Sequence, residues 1–127
     1  MAMIKSFREL RAYQQARIEA KHVFDATRTF PGEEKYSLTD QIRRSSRAVK
    51  SMIAEAWGHR RYPASFASKL TDAIGEANET QSWLDDALDC GYLKPSQHQE
   101  FDLAWRSIGG MLNNMILKTD DFCRNAS

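Results

Sequence analysis

Six basic residues crowd into one short stretch of the chain: Arg43, Arg44, Arg47, Lys50, Arg60 and Arg61. Glu55 is the only acid among residues 41–63, which leaves that segment at +5. On a helix, at about 100° per residue, Arg43, Arg47 and Lys50 fall within roughly 60° of one another. A stripe of guanidinium and ammonium groups is what phosphate oxygens require. Its affinity comes from displaced counterions and needs no base reading. Trp57, His59 and Tyr62 follow closely and offer flat faces on which a base can stack. Arg8 and Arg11 add basic charge from the first helix, whose residues 1–28 carry +3.

The opposite charge sits next door. Residues 64–90 hold Lys69 against Asp72, Glu76, Glu79, Asp85, Asp86 and Asp89, a balance of −5. Asp72, Glu76, Glu79 and Asp86 share one side of a helix, with Trp83 among them. The net charge of the whole chain is only +1, so bulk electrostatics alone do not announce a nucleic-acid binder. Three readings follow. The two stripes are plain solvated faces. Or the basic stripe of one copy meets the acidic stripe of another, with Trp57, Trp83 and the off-stripe Phe7 and Ile18 in the contact. Or the basic stripe takes RNA or DNA. The last two are compatible if a ring assembles through acid and presents base.

Other chemistry finds little support. A di-iron bundle needs two Glu-x-x-His pairs and two further Glu, all pointing inward. Only Glu19–His22 has that spacing, and it projects away from the apolar stripe. Glu55 and His59 also point outward. His98 reads as a cap or an exposed residue. No nucleophile elbow or phosphate-cradling glycine loop occurs. Cys90 and Cys123 lie far apart, outside any zinc spacing, and read as free thiols of a reducing compartment. Glu55 and Glu79 can meet in space, but the simpler reading gives each its own cation. The expectation is therefore a non-enzyme with no catalytic residue, no metal, no cofactor and no small-molecule substrate.

Four helices must position these residues. The 127-residue chain has three Pro and six Gly, too little turn material for many strands. Apolar residues recur every three or four positions in four stretches. The first runs from about Phe7 to Arg28, with Ser6 and Glu9 as a capping box. Its stripe is Leu10, Tyr13, Ala16, Ala20, Val23, Phe24 and Thr27. The second runs from about Leu38 to Trp57, capped by Ser37 or Thr39, with Leu38, Ile42, Ser45, Val49, Ile53 and Ala56 inward. The third spans about Ala64 to Cys90, with Phe66, Leu70, Ala73, Ala77, Leu84 and Leu88 inward and Gly91 as its stop. The fourth follows Pro95, with Ser96 as cap, and buries Phe101, Ala104, Ile108, Met111, Leu112, Met115 and Phe122. Trp105 and Leu117 fall off that line. Gly109 and Gly110 sit mid-helix, where close packing or a kink explains them. Short connections make neighbours antiparallel. The fold class is all-α: residues 1–127 form one up-down-up-down four-helix bundle. No run approaches the eighteen or so apolar residues of a membrane span. The N-terminus has no run long enough for a signal peptide, so the expected location is the cytoplasm.

The runs FRELRAYQQAR, EEKYSLTDQIRRSS, IAEAWGHRR and GEANETQSWLDDALDCGYL resemble the four-helix-bundle proteins encoded in intervening sequences of 23S ribosomal RNA genes. Gln41, Ile42, Arg43, Arg44, Ile53, Ala54 and Glu55 match the family's second helix. Met52 and Ala56 depart from its Asn and Gly. Gly75 and Glu79 match the third helix, where Glu76 and Ala77 depart. Leu88, Gly91, Tyr92 and Leu93 match its end. The resemblance implies a ring-shaped homo-oligomer, a pentamer, as in related accessory proteins of diversity-generating retroelements, which bind nucleic acid through a basic surface.

Overall fold

The structure, a computed structural model, describes residues 4–124 and 126; Met1, Ala2 and Met3, at the start of the single domain expected above, lie outside it. Four long helices carry the fold: α1 (Arg11–Thr27), α2 (Asp40–Gly58), α3 (Pro63–Asp89) and α4 (Pro95–Leu117). A short α5 (Thr119–Cys123) follows. No strand occurs among the described residues. Each long helix packs on the next, and α4 closes back on α1. Side-chain pairs give the direction. Arg43 meets Thr27 while Arg47 meets Phe24, so α2 climbs as α1 descends. Ser45 pairs with Thr80 and Glu55 with Lys69, which makes α3 antiparallel to α2. His98 to Asp85 and Gln81 to Asp102 do the same for α3 and α4.

The helix ends follow local chemistry, with corrections. Ser6 and Glu9 do form the capping box, but on a separate 3-10 turn, Phe7–Glu9. Leu10 then takes an extended conformation (φ −69°, ψ 128°) and buries its side chain before α1 begins. The expected cap at Ser37 or Thr39 is absent. The chain is already wound from Gly32, through a 3-10 turn and a π turn, so Thr39 has helical angles and Ser37 donates to Glu34 instead. Nor does Ser96 cap α4. Pro95 opens it, its missing N–H costing nothing in the first turn, and the Lys94 N–H donates to the Gln97 side chain at 2.9 Å. Gly91 ends α3 as expected. At φ 77° it lets Tyr92 N–H reach the Ala87 carbonyl and its own N–H reach that of Leu88. Tyr92 then packs on Phe30 and donates to Glu34, tying the two loops at one end of the bundle. That hydrogen bond to a carboxylate pushes the Tyr92 hydroxyl up to about 12.

On α3 and α4 the core lines run closer to a 3.5-residue period than to 3.6. On α3 the buried positions are Phe66, Leu70, Ala73, Ala77, Thr80, Leu84 and Ala87, steps of four and three. That repeat places Ala87 inward and leaves Leu88 only half-buried. On α4 the line is Trp105, Ile108, Leu112 and Met115. Trp105 is thus fully buried, the reverse of the off-line position expected for it. Phe101, Ala104 and Met111 flank the seam and are half-buried. Ser45 and Thr80 are a polar pair within the core, hydrogen-bonded to each other at 2.8 Å between α2 and α3. One hydroxyl donates to the other, and the one that accepts has a backbone carbonyl, of Ile42 or Glu76, for its own proton, which is how a buried polar pair is tolerated.

Gly109 and Gly110 do not mark close packing. A Cβ on either would meet nothing within 4 Å, and the helix runs through them. Gly110→Ala should therefore raise stability by about 0.5–1 kcal/mol through lower chain entropy, seen as a higher denaturation midpoint. A lower midpoint would mean that another chain's backbone approaches there.

Candidate nucleic-acid interface

The basic residues of α2 part into two groups, because steps of three and four turn them to different neighbours. Arg43, Arg47 and Lys50 face α1. There they meet a second basic line, Arg17, Lys21 and Arg28, spaced four and seven around Phe24. Arg17, Ala20, Lys21, Phe24, Arg47 and Lys50 line an open groove of about 380 Å³. Phe24 is its half-buried floor. Four cations surround the ring, with centroid distances of 4.5 Å for Arg43, 5.6 Å for Arg47, 5.7 Å for Lys21 and 6.0 Å for Arg28. The ring's negative face offsets part of their mutual repulsion. Among the described residues, no carboxylate lies within ion-pairing distance of Arg17, Arg28, Arg43, Arg47 or Lys50. Lys21 pairs with Asp25 at 2.7 Å, and that hydrogen bond, with nearby positive charge, holds the Asp25 carboxyl below the usual range. An exposed pair of this kind is weak and yields readily to another anion.

Arg44 goes the other way. It faces α3 and pairs with Glu76 at 3.4 Å and with Glu79. Two of the acids expected at a subunit boundary, Glu76 and Glu79, are thus engaged by a cation of their own chain. Asp72 stays exposed on the outer face of α3 without such a partner among the described residues. Arg60 is held at the end of α2, stacked 3.5 Å above the Trp57 ring and donating to the Trp57 carbonyl. Arg61 is exposed beside it. Arg8 lies over the ring of its neighbour Phe7. It also lines a second groove, of about 560 Å³, with Tyr13, Gln14, Arg17, Ile18, Lys21 and His22. Arg17 and Lys21 belong to both grooves, so one basic band runs from Arg8 to Lys50. Arg11 points away from it, toward Met111 and Asn114 of α4.

The apolar interface candidates divide as well. Phe7 packs edge-on against Tyr13 at 4.9 Å, so the chain itself accounts for it. Trp57 and Trp83 are half-buried against the core. The Trp83 indole N–H is buried without an acceptor among the described residues. Ile18 remains 46% exposed and Leu117 76%. Of the stacking candidates, Tyr62 is 63% exposed and His59 bonds Ser65 at 2.7 Å. Neither lies in the groove. Sequence reading placed Phe24 and Thr27 on the core stripe and counted Arg17, Lys21 and Arg28 only toward the +3 of residues 1–28. Their successive steps of four and seven were the available signal.

The residues weighed for enzymatic roles are occupied singly. Glu55 pairs with Lys69 at 3.2 Å across the α2–α3 seam, and Glu79 with Arg44, so the two acids do not share a proton. Glu19 and His22 contact each other at 3.3 Å on the surface. His98 is no cap: it is half-buried against Asp85 at 2.8 Å. No cluster of three or more His, Cys, Asp or Glu able to hold a metal occurs among the described residues. Cys90 is exposed, and burial pushes the partly covered Cys123 thiol up despite Arg60 nearby. No helix among the described residues is long and apolar enough to cross a membrane.

The fold has a solved counterpart. A protein of unknown function from the S23 ribosomal protein family of Bacteroides thetaiotaomicron superposes with a TM-score of 0.75 at 25% identity, over 84% of this chain and 95% of that one. No curated protein matches the chain. Residues 8–114 match the family described as 23S rRNA-intervening sequence protein. That span takes in all four long helices but for the last residues of α4, and the chain belongs to this family.

Proposed function

We propose that this protein is a non-catalytic, homo-oligomeric bundle, a pentamer by family likeness, that binds RNA or DNA through backbone phosphates in the α1–α2 groove. The observation that carries the reading is the set of cations around Phe24, with no carboxylate among the described residues in ion-pairing reach of Arg17, Arg28, Arg43, Arg47 or Lys50. Clustered like charges left unpaired cost the fold stability, and an anionic guest removes that cost. The band from Arg8 to Lys50 tracks α1, whose seventeen residues span roughly 25 Å, enough for about four phosphates of an extended strand. The face of Phe24 carries Arg43, so base stacking there is blocked and sequence preference should be slight.

Fluorescence anisotropy with a labelled single-stranded oligonucleotide tests this. Log affinity should fall against log salt with a slope of about −3, from about four contacts. No retention at low salt would overturn the proposal. A second reading rests on Asp72 of α3, exposed and without an ion-pair partner among the described residues: the groove takes the acidic face of a neighbouring copy, and the protein is an assembly scaffold only.

A further inference from the structure

The cations around Phe24, the floor of the groove, are not equivalent. Arg43 is half-buried, and its Nε donates to Thr27 Oγ1 at 2.9 Å. Thr27 is 3% exposed, and its own hydroxyl proton goes to the Phe24 carbonyl at 3.0 Å. The oxygen is therefore committed as an acceptor toward Arg43. The Phe24 ring lies against the same guanidinium, its centroid 4.5 Å from Arg43 Cζ. The Nε bond and the ring contact together restrict the rotamers of the side chain. The Nη1 and Nη2 atoms have no hydrogen-bond partner among the described residues. Those two donors form the edge that matches two oxygens of one phosphate. Arg47 and Lys50 have no side-chain hydrogen bond among the described residues, and Lys21 has only an exposed carboxylate.

We infer that Arg43 is the preset anchor of the groove, that Thr27 and Phe24 are its positioning residues, and that its free edge takes one internal phosphodiester of a nucleic-acid strand. Arg17, Lys21, Arg47 and Lys50 form the adaptable rim. This rests on the nucleic-acid reading above and adds to it which phosphate contact is ordered in advance. An internal phosphodiester is favoured over a terminal phosphate because basic side chains flank the anchor on both sides, Arg28 beyond Thr27 and Arg47, Lys21 and Arg17 before it. Preorganisation matters because an arginine already immobilised loses no side-chain entropy on binding. A lysine at 43 would carry the same charge without the fork or the Nε bond.

The test is a double-mutant cycle read by anisotropy with a labelled single-stranded oligonucleotide. Thr27→Val keeps shape and burial but removes the acceptor, and should weaken binding about fivefold without changing the salt slope, since no charge is lost. Thr27→Ser should restore wild-type affinity. In an Arg43→Lys background, Thr27→Val should have no further effect, which a merely structural role for Thr27 would not produce. Phe24→Leu, a second route to the same release, should weaken binding similarly. Oligonucleotides with a 5′-phosphate and a 5′-hydroxyl should bind alike; a preference for the phosphorylated end would overturn the internal contact. Wild-type binding that Thr27→Val leaves unchanged, or weakens equally in the Arg43→Lys background, overturns the inference alone. Absence of wild-type binding overturns it together with the reading it rests on.

Discussion

Replacing Arg43, Arg47 and Lys50 together by Glu abolishes retention of single-stranded RNA or DNA while the circular dichroism of the helices is preserved. The size follows from counterion release. At ~0.1 M salt each lost phosphate contact on a single strand costs about 1 kcal/mol, so three cost about a hundredfold in affinity. Three introduced carboxylates add repulsion, which takes the loss to roughly a thousandfold or more. The fold should tolerate the change, because Arg47 is exposed and Arg43 and Lys50 are only half-buried. Relief of repulsion around Phe24 offsets part of the lost cation–ring contact. Should the triple variant lose helicity, Arg47→Glu with Lys50→Glu leaves the anchor in place and should still cost at least tenfold. The assembly-only reading predicts something else from the same protein. Light scattering would show the oligomer breaking up, with no nucleic-acid affinity to lose. Intact wild-type affinity in the reversed variant would put the binding surface elsewhere.

Trp105→Ala should be the most damaging single change in the core, at about 3–5 kcal/mol. The side chain is 0% exposed, and Phe66, Leu70, Ile108 and Leu112 are as deeply buried in the same cluster. In a domain of this size the thermal midpoint should fall by about 10–20 °C. Trp105 also has a liability: its indole N–H is buried without an acceptor among the described residues. Trp105→Phe keeps most of the ring and removes that orphan donor, so it should cost only about 1–2 kcal/mol. Denaturant unfolding of the two variants checks the contrast. Equal losses would mean that the N–H finds a partner after all, and a near-neutral alanine would contradict the buried seam on α4.

Much of this architecture is local and so was legible in the residues. Ile42, Val49 and Ile53 recur at the helical period whatever surrounds them, and their inward face follows from the turn of the backbone. Gly91 stops α3 because its positive φ suits a residue without Cβ. Pro63 and Pro95 open helices for the same kind of reason. The segregation of charge between residues 41–63 and 64–90 is likewise a property of the chain.

Tertiary structure decided which charges meet. Arg43 and Arg44 are neighbours in sequence, yet one residue is about 100° of turn, and that angle separates an open groove from an ion pair with Glu76 and Glu79. The same angle put Trp105 in the core and made Ala87, rather than Leu88, an inward residue. Periodicity sets each helix's own stripe, but the register and rotation between helices depend on how all four seams pack at once. That is why Phe24, Thr27, Arg17 and Lys21 of α1 joined a site whose other half was visible on α2 alone.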